Sequence, residues 1–258
     1  MLQNLKKIIK KNYLNSPFVR LLKNYGLLPD LAFHGDIISR HFLLNIISTF
    51  QVSSFIETGT HIGNSTVFVA SMMRDLKIFT CEINKDFFNI SKSILKPYQN
   101  VSIYNENSPV FLKNLIQFNA IGNLPLFFLD AHWYEYWPLK DELSIIASSL
   151  NKAVIIIDDF QVPGRKDFSM DSEVNVPGIE IKDTPECNLE MIKQTLSRKN
   201  KYNLLIPSYY PKDAFPIWRG YFRGYAVIFQ NFDAILVNRF YKKKFIAENF
   251  VPYSLETT

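Results

Sequence analysis

Five carboxylates and one imidazole stand where apolar runs end: Glu57, Glu82, Asp130 with His132, and the pair Asp158-Asp159. Asp130 and His132 follow Phe127-Phe128-Leu129, and Asp158-Asp159 follow Ala153-Val154-Ile155-Ile156-Ile157. If those runs are neighbouring strands, three carboxylates and an imidazole converge on one cleft. Such a group repels itself unless a cation or a proton compensates. A hard divalent ion such as Mg²⁺ does so through oxygen ligands, which makes Asp130, Asp158 and Asp159 candidate metal ligands. His132 is then a general base or a further ligand, with Asp130 beside it in the catalytic set. The plainer use of the same residues is that the acids cap turns and His132 sits on a surface loop.

A second constellation lies earlier, in Phe55-Ile56-Glu57-Thr58-Gly59-Thr60-His61-Ile62-Gly63-Asn64-Ser65. An apolar run ends in an acid, a glycine turn follows, and a helix begins. Glycine admits positive φ and lets backbone come close to a ligand, at the strand edge where open α/β sheets bind one. The spacing is G-x-x-x-G, which weighs against a pyrophosphate-binding dinucleotide fingerprint; an ordinary tight turn is the alternative. Glu82 stands 19 positions beyond Gly63, close to the spacing of an acid that accepts ribose hydroxyls, or it is a solvated loop acid. Asn105-Glu106-Asn107-Ser108 could read an adenine edge, or Ser108 could simply cap the helix that Pro109 begins. Aromatic side chains crowd two further stretches: Trp133, Tyr134, Tyr136 and Trp137, then Tyr209, Tyr210, Phe215, Trp218, Tyr221, Phe222 and Tyr225. Rings of this kind stack on a sugar or a planar acceptor, and Arg219 and Arg223 suit a phosphate or carboxylate. A hydrophobic cluster under a long loop accounts for them equally well.

The elements that position these residues alternate. Strands are predicted at 53–57, 77–82, 101–104, 126–130 and 153–158, with helices at 65–74, 86–95, from 108, and 138–150. The continuous apolar runs suit strands covered on both faces. Five βα units in this order imply a doubly wound, mostly parallel Rossmann-like sheet. A helix near 189–197 follows, then strand candidates at 202–206, 225–230 and 234–237, an antiparallel C-terminal strand or hairpin. Ahead of the alternation lies a helical extension, residues 1–34. It holds an amphipathic helix over 2–14, with Leu2, Leu5, Ile9 and Tyr13 on one stripe and four lysines off it, and a second helix after Ser16-Pro17. Asp36 is placed to cap a third helix. The main domain is expected over 35–245 and a tail over 246–258.

Composition bounds the rest. The chain has 258 residues, 47% hydrophobic and 21% charged, enough for one packed α/β domain and against global disorder. A net charge of +5 is too mild to argue for nucleic acid. Cys81 and Cys187 are expected to be free thiols, and a cytoplasmic setting follows. No stretch approaches the roughly 18 apolar residues of a membrane span, and the N-terminal lysines precede no secretory apolar core.

Glu57-x-Gly59-x-x-x-Gly63-x-Ser65, Glu82 and Asp130 with Asp158-Asp159 resemble class I S-adenosylmethionine-dependent methyltransferases. Within that class they are most similar to the divalent-metal-dependent O-methyltransferases of the catechol and macrolide-sugar types. The resemblance covers roughly residues 35–240. It implies S-adenosylmethionine as cofactor, with Glu57, Thr58, Gly59, Gly63 and Ser65 at its methionine end, Glu82 on its ribose, Asn107 or Ser108 beside adenine, and Asp130 at the same edge. It implies Mg²⁺ on Asp130, Asp158 and Asp159, with His132 beside the acceptor. Two departures stand out. Asp159 replaces an amide usual in the catechol type, and the catalytic lysine of that type has no counterpart next to Asp130, where His132 stands instead.

The expected reaction is methylation of a hydroxyl on a small molecule or glycan, with Trp133, Tyr134, Trp218 and Arg219 against the acceptor. Expected partners are that acceptor, a second copy of the chain, and a membrane surface touched through the first helix. Two rival readings are a metal-dependent hydroxylase-like enzyme on the same scaffold and a non-catalytic protein that binds membrane surfaces through that helix.

Overall fold

A computed structural model of the chain describes residues 28–132, 137–168, 187–214, 223–253 and 255. The helices expected over 2–14 and after Pro17 lie outside the described residues, as do Trp133, Tyr134, Trp218 and Arg219. A short 3₁₀ segment, Leu28–Gly35, leads into helix α1 (Ile37–Phe50). Asp36 caps α1 as its sequence position predicts, accepting from the amides of Ile38 at 2.8 Å and Ser39 at 2.9 Å.

Strand and helix then alternate: β1 (Ser54–Thr58), α2 (Asn64–Met72), β2 (Lys77–Cys81), α3 (Lys85–Leu95), β3 (Val101–Tyr104), α4 (Ser108–Gln117), β4 (Pro125–Leu129), α5 (Leu139–Ser149) and β5 (Ala153–Ile157). Every residue of β1, β4 and β5 is buried, which is why β4 and β5 run apolar without alternation. After β5 come α6 (Leu189–Thr195), β6 (Tyr202–Pro207), the single turn α7 (Pro211–Ala214), β7 (Ala226–Gln230), α8 (Ala234–Tyr241), α9 (Lys244–Asn249) and β8 (Phe250–Tyr253).

The eight strands form one sheet in the order β3-β2-β1-β4-β5-β7-β6-β8. The first five are parallel; β7 inserts antiparallel between β5 and β6, and β8 pairs antiparallel with β6. This is the expected doubly wound, mostly parallel sheet with an antiparallel C-terminal part. The chain order reverses between β1 and β4, the position where such sheets open a ligand crevice. Register sets the edge: Thr58 pairs with Leu129 and Leu129 with Ile157, so the residues after β1, β4 and β5 emerge side by side.

Two local expectations are corrected. Residues 234–237 form the start of α8 rather than a strand, because Asp233 accepts from the amides of Ile235 and Leu236 and Val237 and Phe240 bury one helical face. Asn107, not Ser108, caps α4: its side chain accepts from the Val110 amide at 3.0 Å, which moves Ser108 and Pro109 one position into the helix. Cys81 and Cys187 are free and buried. Among the described residues no helix is long and apolar enough to cross a membrane.

Candidate active site at the carboxyl edge of the sheet

The glycine turn is built from beneath by Glu57. Its fully buried carboxylate accepts from the hydroxyls of Ser65 and Thr66, in the first turn of α2, and from Thr80 of β2 at 2.7 Å. Burial pushes this carboxyl upward and the three hydroxyls draw it back. Glu57 and Ser65 therefore strap β1, β2 and α2 together behind the turn. Above them the amides of Gly59 and Thr60 both bond the Cys81 carbonyl at 3.0 Å. Gly59 has φ +84, and a Cβ there would lie 2.6 Å from the Asp130 carbonyl oxygen; only glycine admits both the backbone angle and the approach of the β4 loop. Gly63, φ +88, begins α2.

At the neighbouring tip, Glu82 accepts from the amides of His61 at 2.8 Å and Asn84 at 2.7 Å. Ile83 beside it is 45% exposed, an apolar surface that sequence inspection passed over. Asn105 donates to the carbonyls of Glu82 at 2.7 Å and Ile83 at 3.2 Å, and so ties the β3 loop to the β2 loop. Thr58 and Ser108 are placed differently from expectation. Both are buried, and their hydroxyls lie against Glu142 of α5, also fully buried. Helical spacing was the available signal for Glu142, one acid among the buried Leu139, Leu143 and Ile146.

The third part of the edge holds Asp130, His132, Asp158 and Asp159. The structure brings them close, but in two sets that share Asp159. Asp130, His132 and Asp159 have ligand atoms all within 4.8 Å of one another, and so do His34, Asp158 and Asp159. Asp130, Asp158 and Asp159, expected to act as one triad, are thus divided between them. The spans suit donors around a single hard ion at about 2.0–2.6 Å each.

Basic side chains already meet these acids. Arg223 Nη1 is 3.2 Å from Asp159 Oδ1, and His132 Nε2 is 3.8 Å from Asp159 Oδ2. Arg223 arrives because the Phe160 amide bonds the Gly224 carbonyl at 2.9 Å, just beyond the β5–β7 pairing. His34 Nε2 is 3.2 Å from Asp158 Oδ2. Partial burial works against a charge on His34, but the bond and field of Asp158, with Asp159, outweigh it and raise the imidazole above its ordinary value. Nothing in the local sequence marks His34. It comes from the 3₁₀ segment, held by Phe33 edge-on to Phe68 and Phe128. Phe33 and His34 both have positive φ, 52 and 55, a sparsely populated conformation for such side chains.

His34, Asp158 and Arg223 line a cavity of about 20 Å³ with Asp36, Ser39 and Tyr225, room for about one water molecule. Tyr209 and Tyr225, expected as stacking rings, are buried, and the Tyr209 hydroxyl donates to Asp36. They belong to the wall rather than to an acceptor surface.

Strand order, the antiparallel β7 and the glycine turn define a Rossmann-like methyltransferase fold. Solved structures of the same fold include an O-methyltransferase from Bacillus cereus in complex with S-adenosylhomocysteine, 16% identical with a TM-score of 0.50, covering 85% of this chain and 94% of that one. A protein described as an O-methyltransferase from Klebsiella pneumoniae is 18% identical with a TM-score of 0.50, covering 88% and 96%. No protein-family model matches the chain, and no curated protein matches it.

Proposed function

We propose that the protein is an S-adenosylmethionine-dependent methyltransferase that acts on a hydroxyl group of a small molecule or glycan. One observation carries the reading: at the crevice between β1 and β4, a glycine turn that no Cβ could occupy adjoins a strand-end carboxylate fixed by two backbone amides. The turn offers close backbone approach to the methionine end of the cofactor. Glu82 offers acceptors to its ribose, since an ionised carboxylate accepts at up to four sites. Exposed Ile83 offers a face to adenine. Glu57 acts from behind as the strap of the turn. When bound, S-adenosylmethionine supplies an electrophilic methyl group. The similar fold solved with S-adenosylhomocysteine supports this cofactor.

The chain's own residues then bind and orient the acceptor. His132, exposed and 3.8 Å from Asp159, takes the hydroxyl proton as general base, worth about 10²–10⁴-fold in rate. Asp159, held by Arg223, orients that imidazole. In place of that base role, His132 with Asp130 and Asp159 would be the donors for a divalent ion such as Mg²⁺, which would lower the pKa of a bound hydroxyl; Asp158 is engaged by His34. Trp133 and Tyr134, which follow His132 in sequence, and Trp218 and Arg219, which precede Arg223 by a few residues, are proposed to contact the acceptor.

Calorimetric titration with S-adenosylmethionine, S-adenosylhomocysteine and NAD tests the proposal. Both adenosyl ligands are expected to bind, and NAD is not. A charge-assisted bond is worth about 1.5–3 kcal/mol, so Glu82→Ala is expected to weaken S-adenosylhomocysteine about 10- to 150-fold. Equal affinity in the two proteins would remove Glu82 from the site, and preference for NAD would refute the reading.

A further inference from the structure

Glu142 is a buried acid that meets no cation among the described residues. It sits on α5, is fully buried, and makes no ion pair among the described residues. Its neighbours come from the elements that carry the proposed cofactor loops. Thr58 is the last residue of β1, one position before Gly59, and Ser108 opens α4 after the β3 loop. Both hydroxyls lie against the carboxyl. None of Thr58 Oγ1, Ser108 Oγ, Glu142 Oε1 or Glu142 Oε2 closes a hydrogen bond of good geometry. Four polar oxygens left this way in a dry interior are costly, and the cluster touches the turn, the adenine-side helix and the helix after the catalytic loop together. It is the floor of the site.

We propose that Glu142 is a positioning residue of the cofactor site, whose proton is coupled to the charge of the cofactor lying on Thr58-Gly59 and Ser108. The inference rests on the cofactor reading above. The neutral acid can donate to one hydroxyl and accept from the other. The ionised acid puts one negative charge beneath the site with no partner but those hydroxyls. S-adenosylmethionine carries a sulfonium charge that S-adenosylhomocysteine lacks, so the ionised form favours the former.

The direction of coupling follows from what surrounds Glu142. The titratable groups that face it are Cys81 of β2, itself held neutral by burial, and Asp141 on its own helix. Neither supplies positive charge. Burial pushes the Glu142 carboxyl up to about 7, against the pull of Ser108 and Thr58, so ionisation falls in an accessible pH range. A charge pair separated by about 10 Å at an effective dielectric of about 40 corresponds to roughly a four-fold change in affinity.

The test compares dissociation constants for S-adenosylmethionine and S-adenosylhomocysteine from pH 5.5 to 8.5 in the wild type and in Glu142→Gln, which keeps the shape and removes the charge. The wild-type preference for S-adenosylmethionine is expected to grow about three- to five-fold more across that range than the variant's. Other groups contribute equally to both proteins and cancel. A second measurement needs no variant: in ¹³C-glutamate-labelled wild type, the carboxyl that titrates near neutrality should move to lower pH with S-adenosylmethionine than with S-adenosylhomocysteine. Both ligands binding with identical pH profiles in wild type and variant, or an unmoved carboxyl resonance, overturns the coupling and leaves the cofactor reading standing. Failure of both ligands to bind at any pH overturns both.

Discussion

Gly59 and Gly63 share a positive φ and differ in what surrounds them, so the pair separates local strain from tertiary contact. Their φ angles are +84 and +88. A Cβ in this left-handed region costs about 1–2 kcal/mol, partly offset by about 0.4–1 kcal/mol from the stiffer unfolded chain. At Gly63 a new Cβ meets only side-chain atoms of Leu95 and Ser91 at 3.7 Å, ordinary contact, so Gly63→Ala is expected to cost about 1 kcal/mol. At Gly59 the Cβ would lie 2.6 Å from Asp130 O, 2.9 Å from Asp130 C and 3.0 Å from Ala131 Cα, all backbone. The tips of β1 and β4 must part by about 0.5–0.8 Å, straining the bond from the Asp130 amide to the Thr58 carbonyl, now 3.1 Å. Overpacking of this kind adds about 1–3 kcal/mol. Gly59→Ala is thus expected to cost about 2–4 kcal/mol, a large share of a typical total of about 5–15 kcal/mol. Urea unfolding at constant m measures both variants, and calorimetry with S-adenosylhomocysteine measures the site. Gly59→Ala should also lose at least about ten-fold in affinity, for want of the geometry on which the backbone contact depends. Equal destabilisation by the two substitutions would refute the argument that the β4 loop, rather than the φ angle alone, demands glycine at 59.

Glu142→Gln is expected to stabilise the fold at high pH. The folded carboxyl titrates near 7 and the unfolded one near 4.5, so its favourable contribution is complete below 4.5 and is lost as pH rises through 7. The amide removes a penalty of up to about 3 kcal/mol at pH 8 and much less at pH 5; urea melts at the two pH values check it, and a pH-independent difference would contradict it. For the metal, Mn²⁺ binding followed by electron paramagnetic resonance should weaken about ten-fold or more in His132→Ala and in Asp159→Asn, and little in His34→Ala. Loss in His34→Ala with His132→Ala unaffected would move the ion to the other set of donors.

Much of this protein is legible in its sequence because much of it is local. Continuous apolar runs mark β4 and β5, Asp36 announces a helix start, and the acids Glu57, Glu82, Asp130 and Asp158 stand at the ends of their strands. Each of those signals depends on a handful of neighbouring residues. Two local signals were weaker: the acid-capped start of α8 looked like a strand because Ile235, Leu236 and Val237 are apolar in succession, and the cap of α4 shifted by one because Asn107 and Ser108 are both good caps.

The chain by itself determined the alternation of strands and helices, the carboxyl edge at which the chemistry collects, and the candidate residues along it. Only the tertiary structure decided which of them share a point. Alternation along a strand fixes a side chain's face, but whether two carboxylates lie within 4.8 Å depends on register and on loops joined from far away. His34 meets Asp158 across 124 residues, and Arg223 reaches Asp159 through the insertion of β7 beside β5. Those contacts divide the expected triad Asp130, Asp158 and Asp159 into two sets. Burial is likewise a property of the assembled layers: it turned Glu57, Thr58 and Ser108 inward and left Glu142 beneath them, because the space behind a strand tip is filled by whichever helix packs there.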